Sequence, residues 1–224
     1  HSLTDITPFL ATLKDGGPTT FKFQESGWPN SLLTLKLRLH SVLNSQNPTP
    51  KEIIPLWVGT TQFNPDYNEN RPVQVFDIPE NATKVEFVSF ITGHGWGCSG
   101  CFNCAEFCNS KHMFSVNGGV YYFDKSHPNA SSSTYCMSLD AIAEGVIPNQ
   151  YGTWGYGRAG WCPGQDVKPF IVDITDHIMS GDENILEYDA CRMSGTSCVT
   201  APTCPGDGCY CPEIAMSSYI IISY

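Results

Sequence analysis

Apolar and polar residues alternate along many short segments of the chain, which is the pattern of β-strands with one buried face. Loops rich in glycine and proline separate these segments, and helical periodicity is limited to short pieces near 8–14 and 139–144. This arrangement predicts an all-β, antiparallel sandwich of the jelly-roll type. In one segment Asn117-Gly118 favours a type I′ hairpin turn. The segments with the strand pattern are 19–24, 32–40, 73–78, 84–92, 114–123, 169–175 and 217–224.

Two parts of the chain begin with the same tripeptide. "DITPFLATLKDG" starts at Asp5 and "DITDHIMSGDE" starts at Asp173, and each leads through a short apolar turn into a predicted strand. The match is short enough to arise by chance, but a true repeat would divide the chain into two unequal parts. Residues 1–43 would then be the last strands of one jelly roll, 44–52 a linker, and 53–224 a complete second jelly roll.

The composition excludes some classes of function and indicates a compartment. The net charge of −10 argues against nucleic-acid binding, which needs clustered lysines and arginines. No apolar stretch reaches the roughly 18 residues of a membrane-spanning helix. The chain begins at His1 rather than Met, which suggests a mature or proteolysed product. Eleven cysteines and two glycosylation sequons, at Asn81 and Asn129, favour a secreted protein in an oxidising environment.

Four cysteines follow one another at close spacing in "CSGCFNCAEFC", a run that matches the ligand pattern of bacterial ferredoxins. A cluster requires reduced thiolates, and Asn109 stands where ferredoxins usually have proline. Zinc is also disfavoured, because the ligand pairs usually need a longer loop and Glu106 would crowd the thiolates. Disulfides are therefore the favoured interpretation. The four cysteines are Cys98, Cys101, Cys104 and Cys108.

The remaining cysteines are concentrated near the end of the chain. The segment 191–211 is rich in glycine, proline, serine and threonine, and it interrupts the last two predicted strands. We expect a loop stapled by disulfides, without a core of its own. Because eleven is odd, one thiol is free, modified or bonded to another chain. The pairing stays open for Cys98, Cys101, Cys191, Cys198, Cys204, Cys209 and Cys211.

Two glycine-rich segments carry the candidate chemistry outside the cysteine run. They are "ITGHGWG" at 91–97 and "GTWGYGRAGWCPG" at 152–164. Both contain aromatic rings, and the second also contains an arginine. Aromatic rings stack on the apolar faces of sugars, and a guanidinium binds oxygens in a bidentate way. Between Cys104 and Cys108, a disulfide would fix the direction of Glu106. The alternative is that these segments are rigid surface loops and Glu106 an ordinary polar loop residue.

Taken together, these segments resemble the peptide-N-glycosidase F family of glycoamidases. The resemblance rests on "TGHGW", on "NCAEFC" followed by His112, on Cys136, and on "YGTW" with "RAGWCPG". Upstream, "DITPFLATLKDG" with "FKFQESGW" resembles the close of that family's first jelly roll. "EIIPLWVGTTQFN" resembles the opening of its second jelly roll, so the likeness extends over nearly the whole chain.

The resemblance implies two jelly rolls with the site in the cleft between them. It implies disulfides Cys104–Cys108 and Cys136–Cys162. It also implies hydrolysis of the amide between asparagine and N-acetylglucosamine, without a metal or another cofactor. The residues that it implies for catalysis are Glu106, Glu25 and Arg158. Those that it implies for substrate binding are His94, Trp96, Trp154, Trp161 and Trp28.

One departure from the family pattern limits the expected activity. The main catalytic aspartate of the family lies in a motif like Cys-x-Glu-Trp-Asp, and this sequence has no such motif. We therefore expect the C-terminal portion of a secreted glycoamidase that is inactive as this chain alone. A missing N-terminal half or another chain would complete the first jelly roll and cover its strand edges. The alternative is a non-catalytic extracellular protein that keeps the fold for glycan binding or assembly.

A copper site is a weaker interpretation. The same double jelly roll occurs in peptidylglycine monooxygenases, which bind copper through histidine and methionine. This chain offers His1, His94, His112 and Met113, but it lacks a His-x-His pair. Adjacent residues such as His112 and Met113 point to opposite faces of a strand. The sequence therefore predicts no metal site.

Overall fold

A computed structural model describes residues 4–22, 34–40, 48–97, 99–148, 152–206 and 208–224. Within these ranges the chain forms two antiparallel sheets with few helical turns. One short helix, α1, spans Leu139–Ala143. The strands are β1 (Pro50–Gln62), β2 (Gln74–Asp77), β3 (Lys84–His94), β4 (Ser110–Val116), β5 (Tyr121–Ser126), β6 (Phe170–Asp173), β7 (Glu183–Ser194), β8 (Ser197–Val199) and β9 (Glu213–Ser223).

The strands are divided between two facing sheets. The first sheet has the order β1-β9-β3-β6, and the second has the order β2-β7-β4-β5 with β8 added to an edge of β7. Most connections cross from one sheet to the other, which is typical of a jelly roll. The all-β jelly-roll prediction is confirmed. No helix in the described ranges is both long enough and apolar enough to span a bilayer.

The core lies between the sheets and is rich in aromatic side chains. Along β4 every second residue is buried, as expected for a strand with one face towards the core. Phe114 is the centre of this layer. Its ring centroid lies 4.6 Å from that of Phe87, 5.1 Å from that of Phe123 and 4.9 Å from that of Tyr188. Burying each such side chain contributes about 1.5–3 kcal/mol.

The predicted hairpin at 114–123 forms between β4 and β5. Asn117 and Gly118 both have positive φ angles, 50° and 63°, as the Asn-Gly pair favours. The N–H of Gly119 donates to the carbonyl of Val116 at 3.2 Å. The strand ladder closes only at the pair of Val116 with Tyr121, so the loop includes two residues beyond the predicted turn.

The two Asp-Ile-Thr segments adopt the same local structure. In each, the aspartate Oδ1 accepts the N–H of the threonine two positions later, at 2.9 Å for Asp5 and 3.0 Å for Asp173. The intervening isoleucines have φ/ψ of −106°/13° at Ile6 and −115°/12° at Ile174. A 3-10 helix follows each, at Thr7–Thr12 and Thr175–His177. This agreement supports a repeat, while the division into domains stays a prediction.

The prediction of strands at 19–24 and 32–40 is wrong for the residues that the structure describes. Their described parts, 19–22 and 34–40, contain no strand, and their side chains are exposed. Alternation shows that one face of a segment suits burial, but a strand forms only where another backbone pairs with it. No such partner lies within the described ranges. The predicted linker, 44–52, lies partly outside those ranges, and from Pro50 onward it belongs to β1.

The cysteine-rich segment is partly a hairpin and partly a loop. β7 continues through Cys191 and returns as β8, and the disulfide Cys191–Cys198 bridges the two strands. The loop that follows is closed by Cys204–Cys211. The expected disulfide stapling is therefore confirmed, and these two bridges fix the path of the chain into β9.

Candidate functional site

Glu106 lies in the connection between β3 and β4, inside a hoop closed by the disulfide Cys104–Cys108. This pairing confirms the expected one, and it removes two thiolates from any ferredoxin or zinc ligand set. The hoop is bonded to the end of β3, because Ala105 N–H donates to the carbonyl of His94 at 3.2 Å and Glu106 N–H donates to that of Gly95 at 3.1 Å. The backbone on both sides of the carboxylate is thereby held in place.

Arg158 holds the Glu106 side chain. Its Nε donates to Glu106 Oε1 at 2.7 Å, and its two terminal nitrogens donate to the carbonyl of Tyr156 and to Thr153 Oγ1, each at 3.2 Å. The arginine side chain is 2 % exposed and the glutamate side chain 11 %. A charge-assisted bond from a guanidinium held by two other acceptors fixes the carboxylate's direction. The glutamate side chain is thus buried except for a small exposed fraction.

Aromatic rings surround this ion pair. The guanidinium of Arg158 lies 4.8 Å from the ring centroid of Trp161 and 5.1 Å from that of Phe107. The indole N–H of Trp161 donates to the carbonyl of Gly93 at 3.0 Å, which ties the ring to β3. The ring of His94 lies 5.3 Å from that of Trp161. The structure therefore brings Glu106, Arg158, Trp161 and His94 together, as the resemblance implied.

His94 is neutral at physiological pH in this setting. Burial lowers the pKa of its imidazole, and the negative charges of Glu106 and Glu213 oppose this effect only in part. Its Nε2 lies 2.9 Å from Thr92 Oγ1, in hydrogen-bonding contact. In a neutral imidazole one ring nitrogen donates a hydrogen bond and the other accepts one.

Two glycines of β3 and its following loop allow the segments of the site to approach closely. A Cβ atom at Gly93 would lie 2.1 Å from the carbonyl oxygen of Ala105. At Gly95, where φ is +86°, a Cβ would lie 2.2 Å from the carbonyl oxygen of Cys211. Any side chain at either position would push the Glu106 hoop or the cysteine-rich segment away.

Trp96 extends the site outward to the cysteine-rich segment. Its ring stacks on that of Tyr210 at 6.4 Å and meets the ring of Phe107 edge-on at 6.1 Å. Trp96 is 38 % exposed and Tyr210 is 70 % exposed, so both offer ring surface to a ligand. Sequence reasoning missed Tyr210. The available signal was an aromatic residue between two cysteines of a segment that joins the last strands.

The other predicted site residues lie in other parts of the domain or outside the described residues. Trp154 packs with Ala141 and Val146 in a small cluster around the disulfide Cys136–Cys162. This disulfide is the second expected pairing, which is thereby confirmed. Glu25 and Trp28 lie outside the described residues. The sequon residues Asn81 and Asn129 are exposed in turns, and their glycosylation stays a prediction.

The described residues that were weighed for copper do not form a metal site. Among the described residues, no group of three His, Cys, Asp or Glu side chains is arranged to hold a metal ion. His112 faces the core from β4, where it is fully buried, while Met113 faces the other side of the sheet. His1 lies outside the described residues.

His112 belongs to a second polar group inside the sandwich, which we call the histidine cluster (Tyr67, Ser110, His112, His127 and Tyr188). Tyr188 Oη lies 2.7 Å from His112 Nδ1 and 3.0 Å from Tyr67 Oη. Ser110 Oγ lies 3.0 Å from His112 Nε2 and 3.2 Å from His127 Nδ1. Burial lowers the pKa of His112 well below its ordinary value and that of His127 to about 4.

Comparisons with known proteins agree with this fold. The family described as "Peptide-N-glycosidase F, C terminal" matches residues 62–221. A curated relative from Elizabethkingia miricola, peptide-N(4)-(N-acetyl-beta-D-glucosaminyl)asparagine amidase F, is 28 % identical over 152 residues, which are 64 % of this chain and 36 % of that protein. This chain therefore spans about a third of the relative's length.

Two solved structures share the fold. A recombinant N-glycanase F (PNGase F) superposes with a TM-score of 0.52 at 19 % identity, over 78 % of this chain and 52 % of that one. A peptide-N(4)-(N-acetyl-beta-D-glucosaminyl)asparagine amidase gives 0.50 at 19 % identity, over 78 % and 53 %. Because the family match extends over most of the sequence, this chain belongs to the peptide-N-glycosidase F family and contains its C-terminal domain.

Proposed function

We propose that this chain supplies one part of the active site of a secreted glycoamidase, which hydrolyses the amide between asparagine and N-acetylglucosamine in N-glycoproteins. The name of the curated relative describes an amidase for this bond. The observation that carries the proposal is the Glu106 side chain, 11 % exposed and held in a disulfide hoop at 2.7 Å from Arg158. Four disulfides among the described residues support secretion.

Amide hydrolysis needs a positioned water and a proton for the leaving nitrogen. In our proposal the exposed part of Glu106 accepts a hydrogen bond from the water or from the substrate amide, and Arg158 fixes the carboxylate in that direction. Glu25, outside the described residues, is the proposed second carboxylate. His94, Trp96, Trp161 and Tyr210 would stack on or bond to the sugar.

The chain is proposed to need a further jelly roll for catalysis. It spans 36 % of the curated relative, and the family's main aspartate motif does not occur in its sequence. Leu35, Leu37 and Leu39 are all exposed, and they alternate as on one face of a strand. Another part of the polypeptide or another chain would cover that face and contribute the aspartate.

The catalytic test uses a glycopeptide with one N-glycan and detects, by mass spectrometry, the conversion of its asparagine into aspartate. We expect hydrolysis by the native assembly purified from its source and none by this chain alone. Within the assembly, Glu106→Gln should lower kcat/KM by about 10²–10⁴-fold. The matched control is Glu183→Gln, which changes an exposed glutamate at the start of β7. An assembly that binds the glycopeptide without hydrolysing it would support the non-catalytic alternative.

The partner is tested separately by native mass spectrometry of the same material, before and after reduction. We expect a second polypeptide, a longer chain or a self-associated form, because exposed alternating leucines favour association. A soluble monomer of this chain alone would contradict the proposed partner. The mass change on reduction would also count the disulfides.

A further inference from the structure

A cavity of about 690 Å³ lies on the outer face of the second sheet. Its lining comes from β4, β5 and β7 and from the loop between β1 and β2, and it includes no residue of the loops 95–108 and 152–164 around Glu106. The N-terminal segment covers the other sheet instead, since the Phe9 ring lies 5.2 Å from that of Tyr219 and 6.1 Å from that of Phe90. The cavity is therefore separate from the site described above.

Strand register places polar side chains on both sides of the cavity floor. Met113 and Ser115 point outward at the centre, and their partners on β5 and β7 flank them. Two strand spacings make this floor about 10 Å wide. The two rows across the sheet are Asp124–Met113–Asp189 and Tyr122–Ser115–Glu187.

Two side chains that line the cavity have buried polar atoms without a hydrogen-bond partner among the described residues. Arg71 is 7 % exposed, and its Nε and one terminal nitrogen have no partner among the described residues. The same holds for Oγ of Ser115 on the floor. The guanidinium is held in place over the ring of Tyr67, 5.1 Å from its centroid. A buried donor without a partner costs about 1–3 kcal/mol, and more when it is charged, so an acceptor that reached either group on binding would recover part of that cost.

Beside these donors stand acceptors and an aromatic ring. The carboxylates Asp124, Glu187 and Asp189 line the cavity, and Lys111 Nζ lies 3.4 Å from Asp124 Oδ1. The ring of Tyr122 is 71 % exposed. Asn68 also lines the cavity, and its Oδ1 accepts the N–H of Ala190 at 2.9 Å, which fixes the loop to β7.

This combination selects one class of ligand. The three carboxylates repel an anion, Arg71 and Lys111 offset most of their attraction for an organic cation, and no group of three described His, Cys, Asp or Glu side chains is arranged to hold a metal ion. A neutral sugar has hydroxyls that both donate and accept, and its C–H face stacks on an aromatic ring. We infer that the cavity is a second carbohydrate-binding site, for a neutral oligosaccharide, on the face of the domain away from Glu106. This inference does not depend on the proposed amidase activity.

The test is an NMR titration of the native assembly, in which this chain is ¹⁵N-labelled, with three neutral disaccharides: N,N′-diacetylchitobiose, α-mannobiose and lactose. We expect at least one to shift backbone resonances of β4 and β5. Tyr122→Ala and Asp124→Asn should each weaken that binding by about tenfold. Both side chains are exposed, so the spectra of the free variants should show an unchanged fold.

Two controls separate this site from the one around Glu106. Val120→Ala changes an exposed residue of the same hairpin outside the cavity, and Trp96→Ala removes a ring of the other site. Neither should alter the shifts in β4 and β5. The inference is overturned if none of the three sugars binds. It is equally overturned if binding survives Tyr122→Ala and Asp124→Asn, or is lost in Trp96→Ala.

Discussion

Two buried polar groups in this domain differ in their exposure and in the residues that surround them. The ion pair of Glu106 and Arg158 is held by loops, leaves the Glu106 side chain 11 % exposed and is surrounded by aromatic rings. The histidine cluster is sealed between the sheets, and His112 at its centre is fully buried. Its histidines carry the larger pKa shifts, and His127 is only 6 % exposed. The exposure of Glu106 and the aromatic rings around it, rather than a shifted pKa, distinguish the candidate site from the histidine cluster.

The largest expected effect concerns the ion pair. Arg158→Met leaves the buried Glu106 carboxylate without its partner, which should lower the free energy of unfolding by about 3–5 kcal/mol. Glu106→Gln/Arg158→Met should recover part of this loss, because no charge is left unpaired. Urea unfolding at pH 7 measures both variants.

The matched control for this comparison is an exposed ion pair on the same domain. Lys111 Nζ lies 3.4 Å from Asp124 Oδ1, with both side chains substantially exposed. Lys111→Met should cost less than about 1 kcal/mol, because solvent screens surface pairs. Similar losses for Arg158→Met and Lys111→Met would mean that Arg158 does not stabilise a buried charge.

The second prediction tests whether the histidine cluster stabilises the fold by remaining neutral. In the unfolded chain a histidine takes up its proton near pH 6.5, whereas folded His127, desolvated and close to Lys125, does so only near pH 4. The unfolded state therefore binds more protons in this window, and stability falls as the pH drops. His127 alone should account for about 3 kcal/mol of the loss.

Urea unfolding at several pH values between 7 and 4 measures this slope. His127→Gln should be less stable than the wild type at pH 7, because a bond to Ser110 is altered. Its stability should also depend less steeply on pH, by up to about 1.4 kcal/mol per pH unit. Equal slopes for the two proteins would show that His127 titrates alike in the folded and unfolded states. His112 adds to the wild-type slope, because its pKa is also lowered. The causes are burial and the charges of His127, Arg71 and Lys125.

A third, smaller effect is expected at Tyr188. Tyr188→Phe removes the hydroxyl that contacts His112 Nδ1 and Tyr67 Oη, and it leaves two buried polar groups short of a partner. The free energy of unfolding should fall by about 1–3 kcal/mol, measured in urea at pH 7. Glycopeptide binding at the Glu106 site should stay the same, because both contacts of this hydroxyl lie within the histidine cluster. Loss of binding without loss of stability would reverse the roles assigned to the two polar groups.

Local sequence patterns predicted those parts of the molecule that depend on near neighbours. Alternation located β3, β6 and the β4–β5 hairpin, and the Asp-Ile-Thr tripeptide produces the same turn twice. The Cys104–Cys108 pairing came from the family resemblance, and it too joins near neighbours within one five-residue motif. The leucines at 35, 37 and 39 show the limit of such patterns, because pairing depends on a partner that the segment itself does not specify.

Features that join distant parts of the chain could not be predicted in this way. Tyr188 and His112 are separated by 76 positions and meet only through the register of β4 with β7. Tyr210 reaches Trp96 because the Cys204–Cys211 bridge and Gly95 allow the two loops to touch. No local periodicity contains this information.

The smallest expected effect tests that loop contact. Tyr210 is largely exposed, so Tyr210→Ala should change the free energy of unfolding by less than about 0.5 kcal/mol. If its ring extends the sugar-stacking surface of Trp96, the affinity of the native assembly for a glycopeptide should fall about fivefold, or about 1 kcal/mol. Calorimetric titration measures the affinity, and Tyr210→Phe, which keeps the ring, serves as the control. Equal losses for the two variants would implicate the hydroxyl, and a large loss of stability in Tyr210→Ala would place Tyr210 among structural residues, beside the histidine cluster.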